Sequence, residues 1–456
     1  SPDGATVFTT WRVALPGGES RTELVAIDLA GAAPGGRRVV AAADGYDFSG
    51  PLRVSPDGRR LACLRERHGA PERPVAVTLW VIDLVTGEGR ALGGELMPAE
   101  IAWAPDSAAL YVAADFQGRR PVFHVPLAGE VTRLTADDGA YAWLNPSPDG
   151  RFLYALRSAV DAAPAPVRIA VAGPERGAVT DLPSPAPRPA VPGRLTEVTA
   201  VADDGARLRA WLALPPGASP QEPAPLLLWI HGGPLGSWND WSWRWNPWLM
   251  TAQGYAVLLP DPALSTGYGP EMIRRGWGDW GPRTHADLMA LTDAAVARPE
   301  IDGHRTAAMG GSFGGYMANW IAGHTDRFRA IVTHASLWHL DQFAGTTDSA
   351  AYWRREFGDT GSARYDRLSP HLFLDRITTP MLVVHGGKDY RVPVGEALRL
   401  WWDLRRRDVT ARFLYFPDEN HWILKPGNIV AWYETILAFL AEHVLGQEWK
   451  RPESLA

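Results

Sequence analysis

The chain has 456 residues, 46% of them hydrophobic, with a formal net charge of −6 and a pI near 6.1. That length holds two domains, each with a sizeable core, while the acidic balance offers no footprint for nucleic acid and no apolar run is long enough to span a bilayer. A single cysteine, Cys63, excludes an intrachain disulfide, gives a thiolate mechanism no support and fits a reducing cytoplasm.

In chain order, the first signal is a repeated turn. Ser1-Pro2-Asp3-Gly4 recurs as Ser55-Pro56-Asp57-Gly58 and Ser147-Pro148-Asp149-Gly150, with a degenerate copy at Ala104-Pro105-Asp106-Ser107. The copies start 54, 49 and 43 residues apart. Apolar strands follow the turns, as at Leu24-Val25-Ala26-Ile27-Asp28-Leu29 and Leu79-Trp80-Val81-Ile82-Asp83-Leu84. Turn-bounded strands at this period predict propeller blades, about four of them, over residues 1–182. The aspartates are read as turn formers and not as metal ligands. Cys63 falls in a blade strand, where it packs. Residues 183–193, with Pro183, Pro185, Pro187, Pro189 and Pro192, predict a stiff linker.

Residues 194–456 change character. Short continuous apolar runs alternate with helix-length segments, which predicts buried parallel strands in an α/β sheet with helices on both faces. Several runs end in polar motifs. Leu226-Leu227-Leu228-Trp229-Ile230 leads into His231-Gly232-Gly233-Pro234, and 381–384 into His385-Gly386-Gly387-Lys388-Asp389. The run 411–416 leads into Pro417-Asp418-Glu419-Asn420-His421. Chemistry in such sheets gathers at the carboxyl ends of strands.

The most informative motif is Gly310-Gly311-Ser312-Phe313-Gly314, after the apolar run 306–309. A serine hydroxyl is a poor nucleophile and needs a tight strand-to-helix turn that exposes its oxygen to a base. Glycines flank it because a Cβ there would strike neighbouring backbone. Taken alone, the pattern also fits a Gly-rich turn. An α/β-hydrolase orders its triad Ser, Asp or Glu, then His, and Ser312, Asp389 and His421 follow that order. His421 would serve as general base and Asp389 would orient it. Asp418 and Glu419 share the loop of His421 and would have difficulty reaching its far nitrogen. His385 is read as structural and His443, on the closing helix, as a surface residue. The oxyanion donors would be the backbone N–H groups of Phe313 and Gly233.

These motifs resemble the prolyl oligopeptidase family of serine peptidases, in its acylaminoacyl peptidase and dipeptidyl peptidase branch. The likeness rests on His231-Gly232-Gly233-Pro234, Ser265-Thr266-Gly267-Tyr268-Gly269, Gly311-Ser312-Phe313-Gly314-Gly315-Tyr316, Asp389-Tyr390-Arg391-Val392-Pro393 and Glu419-Asn420-His421-Trp422, and covers residues 193–445. It implies an α/β-hydrolase domain joined to a β-propeller, action on short peptides, and neither metal nor organic cofactor. It allows a homo-oligomer without specifying one. It also implies a substrate pocket involving Phe313, Tyr316 and Trp338, with Arg354 or Arg355 as candidates to hold a substrate carbonyl. The family usually carries more than four blades, so the propeller is expected to be partial or completed by a further amino-terminal segment. Trp238, Trp241, Trp243, Trp245 and Trp248 follow the oxyanion loop, and most are expected to pack between domains.

The expected function is a serine exopeptidase acting near the amino terminus of short peptides through an acyl-enzyme. An esterase or amidase for non-peptide substrates would use the same triad. A propeller binding module on an inactive hydrolase is the alternative from a different class, and the complete Ser312, Asp389 and His421 set argues against it. No carboxylate pair for a free substrate amine stands out, so dipeptidyl and acylaminoacyl specificity both stay open.

Overall fold

Asp-Gly turns and short apolar strands build four successive antiparallel sheets in the first half of the chain. The structure is a computed structural model that describes residues 1–30 and 35–455. Residues 31–34 of the expected propeller span and residue 456 of the expected catalytic span lie outside the described residues. The chain divides into two compact units: Ser1–Pro189 with Asn239–Trp241 and Thr266–Glu271, and Ala190–Trp238 with Ser242–Ser265 and Met272–Ala456. The cut after Pro189 falls inside the proline-rich segment. Two short stretches assigned from sequence to the catalytic span, 239–241 and 266–271, cluster instead with the amino-terminal unit.

In that propeller unit the first sheet has three strands, Thr6–Ala14, Ser20–Asp28 and Arg37–Ala41, and each of the next three has four. Every strand pairs with its chain neighbour, the pattern of blades built from meanders. Where the turn begins with serine, that serine binds the aspartate: the Ser55 hydroxyl donates to Asp57 Oδ1 at 2.5 Å, and Ser147 to Asp149 at 2.6 Å. The same Asp57 oxygen accepts the Arg59 N–H at 3.0 Å, so the aspartate closes the turn. Between consecutive sheets the inward side chains form separate apolar layers, such as Leu24, Phe48, Leu61, Cys63 and Ile82. Burial pushes the Cys63 thiol up to about 12, which leaves it unreactive.

The catalytic unit is an eight-stranded sheet. Its strands are β1 (Arg194–Val201), β2 (Arg207–Leu214), β3 (Ala224–Ile230), β4 (Ala256–Asp261), β5 (Ile301–Gly311), β6 (Ala330–His334), β7 (Met381–Gly386) and β8 (Ala411–Phe416). Their order is β1-β2-β4-β3-β5-β6-β7-β8, antiparallel at β1/β2 and β2/β4 and parallel elsewhere. Strands β3, β4, β6 and β7 are buried along their whole length, which is why they read as unbroken apolar runs without alternation. Helices α1 (Trp280–Val296), α2 (Phe313–Ala322) and α4 (Pro426–Leu445) pack on this sheet, and α3 (Ala350–Phe357) lies in the excursion between β6 and β7. Among the described residues no helix is long and apolar enough to cross a membrane. Strand β3 sits between β4 and β5, so the strand order reverses there and a crevice opens beyond the carboxyl ends of β3 and β5. The His231 loop leaves β3 at that crevice, and Ser312 leaves β5.

Candidate active site

Ser312 is the single residue between β5 and α2, and it takes φ 59° and ψ −121°. A positive φ is costly for serine, on the order of 1–3 kcal/mol, and the surroundings enforce it. Its N–H donates to the His334 carbonyl at 2.9 Å, and its own carbonyl accepts the Tyr316 N–H at 2.9 Å. The flanking glycines allow strand and helix to close on each other. A Cβ on Gly310 would stand 2.4 Å from the Gly314 carbonyl, and one on Gly314 would stand 2.2 Å from Ile230 O at the end of β3.

The loop after β3 folds over this elbow. His231 fixes it: Nδ1 meets the Gly232 carbonyl at 2.7 Å and Nε2 meets the Ser265 hydroxyl at 3.0 Å. Those contacts require the tautomer that donates from Nδ1 and accepts at Nε2. A Cβ on Gly232 would lie 3.6 Å from the Ser312 Cβ, so the loop backbone passes directly beside the serine. Gly233 has φ 136°, a conformation that suits glycine. Phe313 opens α2, and the first helical N–H groups have no intrahelical acceptor, which leaves them to face a ligand.

The turn after β7 carries Asp389 and the loop after β8 carries His421. Asp389 is buried; its Oδ1 accepts the N–H groups of Arg391 and Val392 at 3.0 and 2.9 Å, and its Oδ2 meets His421 Nδ1 at 2.7 Å. The backbone bonds hold the carboxylate in one orientation, with one oxygen left for the imidazole. Ser312 and His421 line one cavity of about 310 Å³, together with Gly232, Gly233 and Phe313. The rival carboxylates are engaged elsewhere. Asp418 pairs with Lys425 and meets Asn428, while Glu419 accepts the N–H groups of Leu424 and Lys425 and so shapes the entry to α4. His385 is buried with Nε2 2.8 Å from the Val392 carbonyl, and burial lowers its pKa, as it does that of fully buried His334. His443 is half-buried against Phe439, not a surface residue.

The expected substrate pocket needs correction. Phe313 lines the cavity, but Tyr316 and Trp338 do not. Tyr316 is fully buried under it, its hydroxyl donating to the Leu368 carbonyl at 2.8 Å. Trp338 is also fully buried, its indole N–H donating to Asp403 at 2.8 Å. Both side chains are core packing beneath the site. Arg354 and Arg355 lie in the last turn of α3, outside the lining; the arginine that does line the cavity is Arg391. The apolar wall comes from Trp280, Leu337, Phe343, Trp353 and Val392. Of the tryptophans after the oxyanion loop, Trp245 lines the cavity, and Trp238 and Trp248 are buried in the catalytic unit, Trp238 edge-on to Trp229 at 6.1 Å. Arg391 could have been sought from its place two residues after Asp389. Trp280, far away in the chain, left no signal.

Behind that wall lies a group the sequence did not flag. Glu356 on α3 is fully buried, and its Oε1 accepts the Trp280 indole N–H at 2.5 Å. Burial pushes its carboxyl up from 4.5 to about 8. The unfolded chain thus loses this proton near pH 4.5 and the folded chain near pH 8. Between those values the folded state holds more protons, so this group's contribution to stability falls as pH rises and levels off above 8. Glu356→Gln keeps an acceptor for the indole and removes the titration. Thermal unfolding at pH 5 and pH 9 should show the wild type losing more stability than the variant across that range; equal losses would refute the assignment.

Residues 241–447 match the model of the prolyl oligopeptidase family. The chain carries a domain of that family. A probable dipeptidyl-peptidase 5 of Emericella nidulans is 31% identical over 417 residues, covering 87% of this chain and 57% of the relative. The dipeptidyl-peptidase 5 of Porphyromonas gingivalis is 29% identical over 415 residues, covering 87% and 59%. The chain therefore spans a little under three-fifths of the length of these relatives. Among solved structures, a Mycobacterium tuberculosis puromycin-hydrolyzing peptidase aligns with a TM-score of 0.75 at 24% identity, covering 97% of this chain and 78% of that one. Pyrococcus horikoshii acylaminoacyl peptidase aligns at 0.79 and 17% identity, covering 97% and 69%. At these identities the likeness describes the fold: a propeller with an α/β-hydrolase domain.

Proposed function

We propose that this chain is a serine exopeptidase that cleaves short peptides near their amino terminus. The observation that carries the reading is the Asp389–His421 pair, hydrogen-bonded at 2.7 Å, beside a cavity that Ser312 also lines. His421 takes the Ser312 proton as the hydroxyl oxygen attacks the scissile carbonyl, and Asp389 keeps Nδ1 protonated and stabilises the imidazolium. The oxyanion then accepts from the N–H groups of Gly233 and Phe313, a contribution typically of about 3–4 kcal/mol per donor. Collapse expels the amine with the proton from His421, and water repeats the sequence to release the acyl group. Arg391, which lines the cavity and pairs with Asp348 at 2.7 Å, is the candidate cation for a substrate carbonyl. The apolar wall suits a large apolar residue on the acyl side. Relatives named as dipeptidyl-peptidases support the peptidase reading over an esterase. The lone buried Cys63 supports a cytoplasmic setting.

Three substrates of matched side chains test it: a dipeptidyl naphthylamide, its amino-acetylated counterpart and a nitrophenyl ester. Naphthylamide cleavage, with fluorophosphonate labelling that disappears in Ser312→Ala, is the expected outcome, and the acetylated form separates acylaminoacyl from dipeptidyl action. Fast ester turnover without amide cleavage would replace the peptidase reading with an esterase. An unlabelled wild type would replace it with a binding module.

A further inference from the structure

Trp280 is the centre of the apolar wall. It meets Phe313, Tyr316, Trp353 and Phe357 edge-on, with centroids 5.0, 5.4, 5.4 and 4.8 Å away. Trp280, Phe313 and Trp353 line the same cavity as Ser312. Edge-on contacts between rings hold an indole in place but leave it a range of tilts, because an apolar edge has no single preferred partner. A hydrogen bond from the indole N–H removes that freedom.

Glu356 supplies the bond. It lies on α3 between Trp353 and Phe357, two of the rings that face Trp280, and its Oε1 accepts the indole N–H at 2.5 Å. The carboxyl also receives the Gly278 N–H, so one side chain ties α3 to the turn that opens α1. A second tie reaches the same turn from the helix Ala363–Leu368, where Arg367 donates to Asp279 at 2.6 Å and to the Gly278 carbonyl at 3.1 Å. That pair is open to solvent, which weakens it. Glu356 is fully buried, and loss of its oxygen would strand the indole N–H away from water. Because burial pushes its carboxyl up to about 8, the acceptor is uncharged at neutral pH. Glu356 is not among the lining residues, so it acts on the cavity through Trp280.

We propose that Glu356 is a positioning residue for substrate selection: by fixing the tilt of Trp280 it sets the room left for the acyl-side side chain, and with it the preference for a large apolar residue over a small one. A benzyl side chain makes its contacts on that wall and a methyl group makes few, so a displaced Trp280 penalises the first more than the second. The inference rests on the hydrolase reading of Ser312 and His421 and on the acyl-side placement of this wall.

Its test compares two naphthylamides that differ only in phenylalanine or alanine at the acyl-side residue, with the amino terminus, free or acetylated, that the enzyme accepts. The wild type should favour the phenylalanyl substrate in kcat/KM. In Glu356→Leu that preference should fall about ten-fold, mostly through KM of the phenylalanyl substrate. Glu356→Gln, whose amide oxygen accepts both N–H groups, should keep it within about two-fold. A general loosening of the fold would slow both substrates together and leave the ratio where it was. Trp280→Phe keeps a ring and removes the N–H; it should lower the ratio, and Glu356→Leu added to it should lower it little further. A wild type without the preference, an unchanged ratio in Glu356→Leu, a Glu356→Gln as impaired as Glu356→Leu, or additive losses in the double variant each overturn the proposal. If Glu356→Leu does not fold, Trp280→Phe and Glu356→Gln decide: the first must lose the preference and the second must keep it. Failure of fluorophosphonate to label the wild type would instead indict the hydrolase reading, so the two failures are distinguishable.

Discussion

Ser312→Ala is expected to lower turnover by about a million-fold while leaving the fold intact. The two parts of that expectation have different origins. Removal of the hydroxyl removes the only group at the elbow that can form an acyl-enzyme, and the rate falls to what the remaining apparatus achieves with water. That residue is not zero, because the Gly233 and Phe313 donors would still stabilise an oxyanion, about a thousand- to ten-thousand-fold over water. The fold should survive because the forces that hold residue 312 at φ 59° do not involve its side chain: the N–H bond to His334 and the carbonyl bond from Tyr316 belong to the backbone. Alanine has the same Cβ as serine and meets the same strain. Turnover of a naphthylamide, measured beside the thermal midpoint, checks both. A variant within a hundred-fold of wild type would show that Ser312 is not the nucleophile, and a collapsed midpoint would show that the hydroxyl has a structural role.

The proposed triad left local marks in the sequence and the pocket walls did not, for a physical reason. Ser312, Asp389 and His421 each follow a strand, and each sits in a turn whose composition is dictated locally: glycines where a Cβ would meet backbone, an aspartate whose carboxylate binds the N–H groups two and three residues on. Such demands leave a mark within a few residues. Pocket walls depend on side-chain direction across elements far apart in the chain. Helix α2 is buried at all ten positions, so nothing in its pattern tells the cavity side from the core side. Phe313 at its start reaches the cavity, and Tyr316, three residues on, packs beneath it. Trp280 and Trp353 meet only in the folded chain. Arg354, a candidate from the sequence, falls outside the lining for the same reason: its helix is legible, and the direction of its side chain is not. The blades were legible because their turns repeat, three of the four with the same Ser-Asp contact.

Asp389→Asn should cost about ten-thousand-fold in kcat, and the local hydrogen bonds determine why. Asp389 Oδ1 accepts two backbone N–H groups, from Arg391 and Val392. In the asparagine variant the amide oxygen must take that place, because an NH2 there would face two donors. The NH2 is then aimed at His421 Nδ1, 2.7 Å from the atom it replaces. That nitrogen is forced to accept, which moves the imidazole proton to Nε2. An imidazole protonated at Nε2 cannot take the proton of Ser312, and the imidazolium formed later loses its counter-charge. Substrate affinity should change little, so the loss belongs in kcat and not in KM. Asp418→Asn is the control. Asp418 is exposed and occupied with Lys425 and Asn428, and its amide should leave kcat within a few-fold of wild type. The reverse pattern, with Asp389→Asn active and Asp418→Asn inactive, would move the acid to the loop after β8 and leave the buried Asp389–His421 bond without a catalytic role.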